Sequence, residues 1–145
     1  MSLASQPLYN ALIRRSIDLQ RLCQQAAQQV EEPGLRVVLQ ENAAALELLI
    51  LDLQMQLAAQ GGRPATHGRW NTPRPWRPAT WWVRRMTLSD GQWILLLARR
   101  EAALLAQFEQ VLERAPREAA KELGRLSGRV HAVHLDMHSL ALAAR

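Results

Sequence analysis

Apolar residues recur at three- and four-residue spacing along four segments of this chain, and the breaks between those segments divide it. From about residue 6 to 31, Leu12, Ile13, Ser16, Leu19, Gln20, Cys23, Ala26, Ala27 and Val30 fall on one stripe, with polar Ser16 and Gln20 interrupting it. Ser5 is placed to cap this first helix, and Pro7 is tolerated in a first turn. Glu32-Pro33-Gly34 breaks the pattern and restarts it: Pro33 suits the first position of a second helix, whose positive end the acidic pair Glu31 and Glu32 would face. The second helix, about 34–60, has the core stripe Leu35, Val38, Leu39, Asn42, Leu46, Leu49, Ile50, Leu53 and Leu57. A second row, Val37, Ala44, Leu48, Leu51 and Met55, spreads its apolar surface round much of the circumference. A helix of that kind packs against more than one neighbour or lies in an oligomer contact. Gly61-Gly62 stops it.

Ser89 to Gln92 has the S-x-x-Q spacing of a capping box and opens a third helix, about 90–114, with Trp93, Leu97, Glu101, Leu104, Phe108 and Val111 in line. Ala115-Pro116 ends it and starts a fourth, about 116–142, with Leu123, Leu126, Val130, Val133, Met137 and Leu140 as its core stripe. Between the second and third helices lies a crossover at 61–89. It is far longer than the usual helix–helix turn of about two to eight residues. Within it a short helix is expected at about 77–86, with Pro78 in its first turn and Trp76, Thr80, Val83 and Met86 along one side. Extended chain covers about 3.3 Å per residue, so the crossover can climb a helix about 40 Å long and set the third helix parallel to the second. Two hairpins joined by one long crossover predict an all-α, ferritin-like four-helix bundle, a single domain over 1–145.

Composition agrees with helices: 48% of the 145 residues are apolar, rich in Leu and Ala, with one Phe and one Tyr. Cys23 is the only cysteine, which excludes an internal disulfide and favours a reducing, cytoplasmic setting. The first ten residues have neither the basic nor the apolar region of a secretory signal. The net charge of +5 is local, because residues 63–86 hold six Arg and no acid, leaving the remainder at −1. That placement argues against a surface that coats nucleic acid all round.

Four stretches resemble a bacterial family of ferritin-like four-helix-bundle proteins of unknown function: DLQRLCQQAAQ from Asp18, LAAQGGRPATHGRW from Leu57, REAALLAQFEQVL from Arg100, and VHLD from Val133. The resemblance spans roughly Leu8 to Leu140. The Gly-Gly-x-Pro break before a Trp-bearing linker is its most specific part. It implies the bundle fold and carries no activity with it. The family tends to have Glu where this chain has Gln20, and His134 matches a His of the family.

A di-iron bundle needs a Glu from each of two helices and a Glu-x-x-His from each of the other two. This chain lacks that set. Glu41 and Glu47 have Ala44 and Ile50 three residues on, and Gly128 stands three before His131. Glu101 lies in the core line as a candidate ligand. His131, His134 and His138 share one helix face and are imidazoles suited to Zn²⁺, Ni²⁺ or Cu²⁺, although a boundary face beside water explains them as well. In the crossover, Trp76, Arg77, Trp81, Trp82, Arg84 and Arg85 combine the two residue types most typical of interface anchors. The same mixture fits single-stranded nucleic acid or an anionic membrane surface, both less favoured here, and a plain cover over the bundle. Cys23 is on the core stripe, so no catalytic residue is assigned.

These observations favour a non-enzymatic bundle without a cofactor, acting through protein–protein contacts or self-association as a dimer or higher homo-oligomer, in a stress setting. The alternative is a degenerate iron or other divalent transition-metal site drawing on Glu101, His134, Glu47 and Glu41.

Overall fold

Short polar signals set where the helices begin and end. The computed structural model describes residues 6–69 and 88–143. They form helices α1 (Gln6–Gln29), α2 (Pro33–Ala59), α3 (Asp90–Arg114) and α4 (Arg117–Ala143), with no strand among the described residues. Glu32 caps α2: its carboxylate accepts the N–H groups of Gly34 at 3.0 Å and Leu35 at 2.6 Å, satisfying two donors that a helix start leaves unpaired. Gly61, at φ +84°, closes the other end, where the N–H of Gly62 returns to the Leu57 carbonyl. Ser89 and Gln92 form the reciprocal capping box of α3, at 3.2 and 2.9 Å. The expected Ser5 cap and the short helix at 77–86 fall outside the described residues.

The order of the helices around the bundle follows from where α3 starts. The Asp90 carboxylate accepts the N–H groups of Glu31 at 3.0 Å and Glu32 at 3.1 Å, in the turn between α1 and α2. Close by, the indole N–H of Trp93 donates to the Gln29 amide oxygen at 3.2 Å. So α3 begins beside the end of α1, runs antiparallel to it, and lies parallel to α2. α1 touches α2 and α3, and α4 touches α3 and α2, which closes a four-cornered bundle. The α2–α4 side is the thinnest of the four. One ion pair spans it, Arg129 to Asp52 at 2.7 Å, with both side chains partly in water.

The expected stripes form the core, with Trp93, Tyr9 and Phe108 its largest buried side chains. α1 buries more than its stripe, adding Ile17 and Leu22, because it has helices on two sides and the connection across its back. Gln20, Val38 and Leu140 are half-buried rather than in the core, and Ala141 takes the inner place at the end of α4.

The connection leaving α2 climbs α1. Asn10 brackets it, donating to the Arg63 carbonyl at 3.1 Å and accepting the Ala65 N–H at 2.7 Å. Gln54 holds the Ala65 carbonyl at 2.9 Å. Further up, the buried carboxylate of Asp18 accepts the Arg69 N–H at 2.9 Å. Gly68 lies so close to Asp18 that a Cβ there would collide with the carboxylate.

Two substitutions test this anchor. Asp18→Ala removes a charge-assisted hydrogen bond at a buried site and is expected to cost about 2 kcal/mol. Gly68→Ala, which must push the connection off α1, is expected to cost about 1–3 kcal/mol. Urea denaturation followed by circular dichroism measures both, and unchanged midpoints would show that the connection is not held there.

Candidate functional site

Three polar side chains interrupt the apolar core at one height. Glu101 of α3 is fully buried, and neither carboxylate oxygen has a hydrogen-bond partner. Asn42 of α2 is buried with its Nδ2 unpartnered, and Cys23 of α1 is fully buried. Counting equal steps inward from the Tyr9–Gln56 hydrogen bond brings Cys23 level with Asn42. Counting from the Trp93–Gln29 hydrogen bond brings Glu101 within about one helical turn of Cys23.

Burial first, and the charge of Asp136 second, push the Glu101 carboxyl up to about 9. Burial, with Glu101 adding to it, pushes the Cys23 thiol above its ordinary range. At neutral pH both groups therefore keep their protons. In the absence of a bound cation the layer is therefore uncharged, a neutral carboxyl, a thiol and an amide.

The proposed metal ligands are spread over three places. Glu101 is inside the bundle. Glu41 and Glu47 are exposed on α2, because they fall off its buried stripe. His131 and His138 are exposed on α4 and His134 is half-buried between them. The His134 and His138 rings lie 5.8 Å apart. Burial, then the neighbouring His138 and His131, lower the His134 pKa, and its Nδ1 is buried without a partner. No group of three or more His, Cys, Asp or Glu that could hold a metal ion occurs among the described residues. Trp76, Arg77, Trp81, Trp82, Arg84 and Arg85 lie outside the described residues.

Among the described residues, an apolar strip also lies on the outside. On α2, Val37, Leu48, Leu51 and Met55 are 51, 59, 49 and 69% exposed. Glu41, Ala44 and Ala58 are exposed between and beyond them. These positions face away from the core stripe, and none of the described helices covers them. One edge of the strip borders α1, where Gln40 and Glu47 line a shallow groove with Gln24 and Gln28. The other borders α4 through Asp52 and Arg129. The second apolar row was visible in the sequence. Asp18 was not singled out there, since its partner lies 51 residues away.

Glu101 makes stability depend on pH in a definite direction. The folded protein keeps this proton up to about 9, whereas the unfolded chain releases it near pH 4.3. Between those limits the folded state binds more protons, so stability falls as pH rises, by up to about 1.4 kcal/mol per pH unit. Urea midpoints at pH 5 and pH 8 should show the loss, and Glu101→Gln should flatten it; equal slopes in the two proteins would contradict the assignment. Cys23 should react with a thiol reagent at least ~10³-fold more slowly in the folded protein than in urea, since only the open fraction exposes it. Comparison with known proteins adds no name to these features: no family model matches the chain, and no curated protein matches it.

Proposed function

We propose that this chain is a non-enzymatic, ferritin-like helical-bundle protein that works by self-association, with the outer face of α2 as its contact surface. The observation that carries this reading is the row of four large apolar side chains on α2, each about half exposed or more. Together they leave on the order of 400 Å² of apolar surface in one strip, within the about 300–600 Å² range of the largest patch on a monomer, which is often functional. Trp76, Trp81 and Trp82, with Arg77, Arg84 and Arg85, would supply a second contact surface for a protein partner.

Sedimentation equilibrium tests the reading. The protein should run as a dimer or higher assembly, and Leu48→Glu should weaken it at least about tenfold in Kd, because burying one Leu contributes about 1.5–3 kcal/mol. The substituted position is exposed, so helicity should be unchanged. A chain that stays monomeric at ~100 µM, weaker than an association of about −5.5 kcal/mol, would overturn self-association as its function.

A further inference from the structure

Three arginines and a histidine line one open groove where the connection climbs α1. Its volume is about 600 Å³, within the about 300–1,000 Å³ of small-ligand sites. One wall is α1, with Asn10 and Arg14, and the other is the start of the connection, with Arg63, His67 and Arg69. Arg14 stands one turn beyond Asn10 on the same face of α1. Asn10 holds the backbone at Arg63 and Ala65, so a fixed contact brings Arg14 beside the connection. Gln6 accepts the Arg63 N–H at 3.4 Å, and Asp18 accepts the Arg69 N–H at 2.9 Å, which pins the wall at either end. These hydrogen bonds run to the connection's backbone, not to its arginine side chains.

No carboxylate lines the groove. Residues 6–29 and 61–89 carry nine Arg between them and one acid, Asp18, which is buried against the Arg69 N–H. Among the described residues, Arg14 and Arg63 make no ion pair. Like charges gathered in a concave site focus a positive potential there and draw in anions. The two walls select which anion. A guanidinium is a planar fork of N–H donors, and one fork satisfies both oxygens of a carboxylate. Two forks from two walls call for a third oxygen. A phosphate monoester has three, and its charge of about −1.5 to −2 at pH 7 matches Arg14 and Arg63 together. Arg69 and His67, both exposed, add N–H donors to the connection's wall.

We propose that this groove binds a phosphate monoester group, held between Arg14 of α1 and Arg63 of the connection. The site is independent of self-association, since no residue of the exposed α2 strip lines it.

Isothermal titration calorimetry of the full chain with inorganic phosphate and with glycerol 3-phosphate tests the site, at low ionic strength because salt screens exposed ion pairs. Both probes should bind with Kd of about 1 mM or tighter. Arg14→Gln and Arg63→Gln should each weaken binding at least about tenfold, the loss of one charge-assisted pair. Arg14→Lys, which keeps the charge without the fork, should fall between. Arg117→Gln, at the start of α4, removes an equal charge away from the groove and should leave Kd unchanged. Positions 14, 63 and 117 are exposed, so circular dichroism should not change in any variant. No binding of either probe at ~10 mM would overturn the site. So would an unchanged Kd in Arg14→Gln and Arg63→Gln, or an equal loss in all three Gln variants, which marks net charge and not a groove. Acetate binding as tightly as phosphate would overturn the choice of anion. Inorganic phosphate binding without glycerol 3-phosphate would overturn the monoester in favour of the free ion. A single-stranded oligonucleotide without terminal phosphates that binds where neither probe does would overturn it in favour of a phosphodiester backbone.

Discussion

The Asp90 carboxylate fixes the topology. It sits in the first turn of α3 and takes the two N–H groups of the α1–α2 turn. In that position it also faces the positive end of its own helix, so one side chain joins two turns and stabilises a dipole. Because α3 must start where α2 starts, the two run the same way. The chain that leaves α2 at the far end has to come back along the whole bundle. The length of the connection is a consequence of that return, and so are the hydrogen bonds from Asn10, Gln54 and Asp18 that lay its first part against α1.

The architecture was legible because its signals are local. Glu32, Ser89 and Gln92 act within four residues of themselves, and the core stripes repeat within one helix. The second row on α2 was legible for the same reason, and none of the described helices covers it. Less legible was anything requiring two helices to be placed together. Spacing already set Glu101 in a core line and left Glu41 and Glu47 off the stripe of α2, but whether they could converge on one cation depended on the packing, and the bundle puts Glu101 inside and the other two outside. Asp18 has no local signal at all. Its burial depends on a connection that arrives only after a second helix has been completed. Gln20 read as a core position by spacing alone, yet the stripe it belongs to turns Cys23 inward and leaves the amide at the boundary.

The Glu101 layer and the α2 strip are opposite departures from a minimal bundle. One places polar atoms where burial opposes ionisation; the other leaves apolar atoms where water surrounds them. Asn42 and Leu48 show how narrow the division is: they lie on one helix, six residues apart, and face opposite ways.

The thin side between α2 and α4 carries its own consequence. An ion pair partly in water contributes about 0–1 kcal/mol and is screened by salt. The other three sides rest on broader contact, so the bundle is not equally rigid around its girth. This is the side on which the least contact opposes a parting of the two hairpins. Salt therefore acts where the bundle has least else to hold it, since it screens the ion pair on that side.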